Sequence, residues 1–164
     1  MPKTLELNRR HLMMGAGLAA TAFAASGAQA YAEANSTAPD LSGKSILITG
    51  CSSGFGRLGA EHYARLGAKV FATMRNLPRP EADELTALAA SDGLDITVIE
   101  IDVTSDAQVE AGVAEALAEA GGSIDVLVNN AGIAFAGPIE VQDMDATQLI
   151  FDTNVFGPQR MIRA

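Results

Sequence analysis

The sequence predicts an α/β protein built on a doubly wound parallel sheet. Apolar runs of strand length alternate with segments of helical period from Leu41 onward, in the order βαβαβαβα, and that order calls for parallel strands with helices on both faces. A glycine-rich stretch, TGCSSGFGR from Thr49 to Arg57, sits where the first strand passes to the first helix. With 48% apolar residues, 164 residues suffice for one domain core and exclude a disordered chain.

Taken in order, residues 1–30 stand apart. A basic stretch with Arg9 and Arg10 precedes an uncharged Ala/Gly/Met/Leu/Phe segment from Leu12 to Gln29, and Ala28-Gln29-Ala30 has the small-x-small pattern of a cleavage site. This is the grammar of a secretory signal, and the arginine pair resembles the twin-arginine export motif. Asn8 stands where Ser or Thr is usual, and Leu12 where Phe is. An uncleaved anchor or a mis-assigned start codon are the competing readings. The uncharged segment, about 18 residues, is just long enough to cross a bilayer, but its Ala/Gly content makes insertion weak, so no stable span is expected. A working signal implies a periplasmic or exported protein; otherwise the location is cytoplasmic. Cleavage after Ala30 removes Lys3, Arg9 and Arg10 against Glu6 and takes the net charge from −9 to −11. Residues 31–40 read as a polar linker, leaving 41–164 for the folded part.

Residues 44–49 (KSILIT) form the first predicted strand, and 56–67 (GRLGAEHYARLG) a helix stopped by Gly67. The second strand is 68–74; a proline-marked break at Leu77-Pro78-Arg79-Pro80 leads to a helix through 81–90. The third strand covers 95–103. The helix after it opens with Ser105 and Gln108 at capping-box spacing and places Val109, Val113 and Leu117 on one face. Residues 123–130 (SIDVLVNN) are the fourth strand, and helix resumes from Met144, with a helix beginning near Asn154 reaching the last residue. Leu149, Phe151 and Phe156 are expected in helix core.

A turn of this kind after a first strand holds a pyrophosphate, because glycines admit close backbone approach and the next helix offers free N–H groups at its positive end. Gly50, Gly54 and Gly56 have the spacing T-G-x-x-x-G-x-G. IDV at 101–103, NNAG at 129–132 and NVFG at 154–157 follow in order. With these motifs the chain resembles the short-chain dehydrogenase/reductase family, most closely in wording the reductases of steroid, retinoid or other alcohol/ketone pairs. The resemblance implies a Rossmann-like sheet of strand order 3-2-1-4 and hydride transfer between a nicotinamide cofactor and a small alcohol or carbonyl compound. It implies that Gly50, Ser52, Ser53, Gly54, Phe55 and Gly56 seat the pyrophosphate, and that Asp102 and Val103 bind adenine. Asn130, Ala131 and Gly132 would pass beside the nicotinamide ribose, and Asn154 would be the catalytic asparagine.

Charge discriminates between the two cofactors. An NAD site places an acid at the end of the second strand, about 20 residues past the glycines, to bind the ribose 2′-hydroxyl. Here Thr73-Met74-Arg75-Asn76 contains no acid, and Arg75 offers a planar fork suited to a 2′-phosphate, so NADP(H) is favoured over NAD(H). Arg57 is a second candidate for that phosphate.

The family's proton shuttle is a Tyr with a Lys four residues on, since a free phenol titrates near ~10 and is a poor base at neutral pH without help. Tyr31 is followed at that place by Asn35 and Tyr63 by Gly67; the lysines are Lys3, Lys44 and Lys69. The family's Ser, Tyr and Lys are therefore not matched, and the sequence reads as a domain truncated after about its fourth strand, whose exposed edge would be 123–130. Oligomer contacts would fall in the missing half. The alternative is a non-catalytic nucleotide-binding or non-functional fragment. A net charge of −9 argues against nucleic acid as a partner. Cys51 reads as a small packing residue, and His11 and His62 have no neighbours that suggest a metal.

Overall fold

The computed structural model describes residues 38–164, so the signal, most of the linker, and Tyr31 and His11 lie outside the described residues. Residues 40–164 form a compact unit. Its elements are β1 (Ser45–Ile48), α1 (Gly54–Arg65), β2 (Lys69–Met74), α2 (Pro80–Asp92), β3 (Ile96–Glu100), α3 (Asp106–Glu119), β4 (Val126–Val128), α4 (Met144–Phe151) and α5 (Gly157–Arg163). A π-helical turn, Asp152–Phe156, joins α4 to α5 without a break. The strands are parallel in the order β3-β2-β1-β4, with Leu47 opposite both Phe71 and Leu127.

Strand alternation sorts the core into two layers, one per sheet face. Ile46, Ile48, Val70, Ala72 and Met74 face α1 and α2, where Ala60, Ala64, Ala82 and Leu85 meet them. Leu47, Phe71 and Ile99 face α3 and α5 through Val109, Val113, Ala116 and Met161. Both layers are needed because every buried strand residue must find a helix on its own side. Phe71 and Leu47 are almost fully buried, a gain of about 1.5–3 kcal/mol each. Small residues on α1 and α2 let those helices lie close to the sheet. At the start of the β1–β4 pair, the Asp125 carboxylate accepts from the Ser45 N–H and hydroxyl and pairs with Lys44 Nζ at 2.9 Å. These donors, the Ser45 amide foremost, hold its pKa at about 2.

Several expectations need correction. The strand ladders are shorter than the expected strands 95–103 and 123–130, so Ile101–Val103 and Asn129–Asn130 lie beyond the ends of β3 and β4. No new helix begins near Asn154; that residue sits in the π turn of one continuous rod. Ser105 Oγ accepts from the Gln108 N–H at 3.3 Å, but Gln108 Oε1 accepts from the Asp102 N–H at 2.8 Å, so the reciprocal half of the capping box goes to the preceding loop. Leu149, Phe151 and Phe156 are not core: they are 44%, 54% and 48% exposed. Apolar residues in a helical segment do not by themselves say what covers them. Among the described residues β4 pairs with β1 alone, and its Val126 is exposed.

Candidate functional site

A cavity of about 340 Å³ crosses the carboxyl ends of all four strands, a size within the range of small-molecule sites. From the β1 end come Gly50, Ser52, Ser53 and Phe55; from β2, Met74, Arg75 and Arg79; from β3, Ile101, Asp102 and Val103; and from β4, Asn130, Ala131, Gly132 and Ile133, with Thr153 of the π turn closing one side. Of the cofactor-site and catalytic candidates singled out in the sequence, Gly54, Gly56, Arg57 and Asn154 do not line it.

Two glycines of the turn are required for different reasons. Gly50 has φ +74°, and a Cβ there would lie 2.9 Å from Ala131 Cα, so both conformation and space require glycine. Gly56 lets α1 come down onto the turn, since a Cβ would meet the Gly50 carbonyl oxygen and Asn130 Nδ2. Ser53 is the N-cap of α1, yet its hydroxyl caps nothing. The first-turn N–H groups thus lack a side-chain acceptor, the condition under which a helix start binds an anion.

The opposite wall is tied to this turn by a residue that sequence reasoning gave no role. Thr49 is buried, and its hydroxyl oxygen accepts from the Asn130 N–H at 3.0 Å and the Ala131 N–H at 2.9 Å. Asn130 Nδ2 returns two bonds, to the Thr49 carbonyl at 2.8 Å and the Gly50 carbonyl at 3.2 Å. The threonine of T-G-x-x-x-G-x-G was the available signal. Asp102 is held by Gln108 through its N–H, while its Oδ1 accepts from the Thr104 N–H and hydroxyl at 2.9 and 2.7 Å. Asn154 acts on the loop after β4: its Oδ1 accepts from the Ile133 N–H at 2.9 Å and its Nδ2 donates to the Ile133 carbonyl at 2.8 Å. Both functions of the amide are therefore spent on fixing that loop.

The two arginine candidates separate. Arg75 stands on the cavity wall, but Arg57 does not; its guanidinium pairs with Glu61 at 2.6 Å and donates to the Glu81 carbonyl at 3.1 Å. The second arginine of the wall is Arg79, four residues beyond Arg75 across the proline break. Its side-chain hydrogen bonds hold the Glu81 carboxyl at about 2. Burial pushes the Cys51 thiol up to about 12, overcoming the Thr73 backbone contact that favours the thiolate, and Cys51 Sγ lies 3.2 Å from the Ile48 carbonyl oxygen. Such a thiol is a packing group, not a nucleophile. Among the described residues no three His, Cys, Asp or Glu side chains gather as a metal site, and no helix is long and apolar enough to cross a membrane.

The open turn, the uncapped helix start and the Asp102 carboxylate beside Val103 thus lie along one line of strand ends. A family model described as short chain dehydrogenase matches residues 44–164. Retinol dehydrogenase 8 of Homo sapiens is 41% identical over 124 residues, which cover 74% of this chain and 38% of that protein. A blue fluorescent protein from a metagenomic library, solved in complex with NADPH, superposes with a TM-score of 0.69 at 32% identity over 76% of this chain and 51% of its own. The 3-ketoacyl-(acyl-carrier-protein) reductase of Brucella melitensis, complexed with NADH, gives 0.67 at 35% identity over 75% and 48%. The chain thus spans about half, or less, of these relatives.

Proposed function

Since the chain belongs to the short-chain dehydrogenase family, we propose that residues 41–164 bind a nicotinamide dinucleotide along the strand ends, NADP(H) in preference to NAD(H), as the cofactor half of an alcohol/carbonyl oxidoreductase. The observation that supports this reading best is the single cavity shared by the glycine turn, Asp102–Val103, Asn130–Gly132 and Arg75. In that role the uncapped start of α1 receives the pyrophosphate, Asp102 and Val103 take the adenine, and Asn130 keeps the turn and the ribose side in register. Arg75 meets the 2′-phosphate. Asn154 keeps the Gly132–Ile133 loop in place beside the nicotinamide, which supplies hydride chemistry when bound.

Proton transfer is a separate matter. Neither Tyr31 nor Tyr63 has a lysine four residues on, so residues 41–164 are assigned cofactor binding and no proton transfer. Titration of the purified chain should give saturable enhancement of NADPH fluorescence, with NADH weaker by at least about tenfold, the least expected when one charge-assisted phosphate contact is missing. No oxidation of alcohols or reduction of ketones should accompany it. Failure of both nucleotides to bind would refute the proposal; cofactor-dependent turnover would refute the part concerning the proton shuttle.

We further propose that residues 1–30 direct export by the twin-arginine route, which carries proteins already folded and so permits cofactor loading beforehand. The motif around Arg9 and Arg10 supports it. A reporter fused behind residues 1–40 should be exported, and Arg9→Lys/Arg10→Lys should block it; unchanged export of the double variant would remove the idea.

A further inference from the structure

Resting on the dinucleotide reading above, we propose that Arg79 is a specificity-determining residue for the cofactor and that Glu81 competes with the 2′-phosphate for its guanidinium. The Arg79–Glu81 pair then sets how strongly the chain prefers NADP(H).

Arg79 is the N-cap residue of α2 and stands on the cavity wall with Arg75. Its guanidinium closes on Glu81 in a two-pronged pair, Nε to Oε2 at 2.9 Å and Nη2 to Oε1 at 3.1 Å. A third donor, Nη1, reaches the Arg75 carbonyl at 3.2 Å. That bond keeps Arg79 against the strand end that presents Arg75. Glu81 is fixed in turn, because its carbonyl accepts from Arg57 Nη1 at 3.1 Å.

The fork that grips a carboxylate also matches a phosphate. Glu81 therefore takes the donors a 2′-phosphate would use, and neutralises one of two cations on one wall while no anion is bound. The pair is partly open to water, with side-chain exposures of 25% and 39%, so solvent screens it and a competing anion can reach it. A phosphate monoester carries about −1.5 to −2 charges at neutral pH against −1 for the carboxylate, and it wins the exchange. A ribose 2′-hydroxyl brings no charge and leaves Arg79 with Glu81. Arg79 therefore discriminates between the two cofactors rather than strengthening both.

The test titrates the full chain, Arg79→Met and Glu81→Gln with NADPH, NADH and 2′,5′-ADP, with thermal unfolding as the folding control. Arg79→Met should weaken NADPH and 2′,5′-ADP by about tenfold and leave NADH within about twofold, as expected for losing one charge-assisted phosphate contact. Glu81→Gln should tighten NADPH about two- to fivefold with NADH unchanged, the scale of a screened ion pair. An unmoved NADPH/NADH ratio in Arg79→Met overturns the assignment, as do parallel losses for both nucleotides or weaker NADPH binding in Glu81→Gln. If the unsubstituted chain binds neither nucleotide, it is the dinucleotide reading itself that falls.

Discussion

Gly56→Ala is expected to abolish NADPH binding and to destabilise the fold by about 1–3 kcal/mol, the range for overpacking a rigid contact. The added methyl would meet the Gly50 carbonyl oxygen and Asn130 Nδ2. Neither atom can retreat cheaply. The first belongs to a backbone locked at φ +74°, and the second already donates to Thr49 and Gly50. Relief requires α1 to lift from the turn, which misplaces the amides offered to the pyrophosphate. Gly59→Ala on the same helix is the control. Its Cβ would rest 3.6 Å from the Tyr63 ring and 3.9 Å from Ile48, ordinary contacts, so it should gain up to about 1 kcal/mol from helix propensity and bind NADPH normally. Denaturant unfolding and NADPH titration of the two variants decide the matter; equal behaviour would overturn the packing argument.

Thr49→Val is expected to cost about 1–3 kcal/mol and at least tenfold in cofactor affinity, although the side chains have nearly the same shape. The hydroxyl accepts from two consecutive backbone N–H groups, Asn130 and Ala131, and valine accepts from neither. Ala131 is also the residue against which Gly50 is packed, so loosening it disturbs both walls of the cavity. Thr49→Ser keeps the oxygen and should restore most of the binding. Valine behaving like the unsubstituted chain, within 0.5 kcal/mol by denaturant unfolding, a range usual for ~neutral surface changes, would show that the hydroxyl is not the joint described.

Much of the fold was legible because the information is local. The apolar runs SILI and KVFATM, the helical period of 106–119 and the glycines of the turn each report a preference within a few residues, and the sheet order 3-2-1-4 followed from the resemblance they carry. The lengths of β3 and β4 were less legible: the expected strands 95–103 and 123–130 outrun ladders that cover only Ile96–Glu100 and Val126–Val128. Leu149, Phe151 and Phe156 were expected in the core and are exposed: apolar character is local, whereas burial depends on what packs opposite.

The sequence by itself determined which residue types stand at the strand ends and in what order: glycines, Asp102–Val103, Asn130 and an arginine without an acid beside it. Only the tertiary structure decided the partners. It gave Gln108 to Asp102, Asn154 to Ile133, Arg57 to Glu61 and Glu81, and the cavity wall to Arg79. Thr49 and Asn130, 81 positions apart in the chain, became neighbours only through the β1–β4 pairing. Periodicity follows from backbone geometry that every residue shares with its nearest neighbours. The choice of a hydrogen-bond partner depends on distances fixed only when the sheet closes, and no local pattern encodes them.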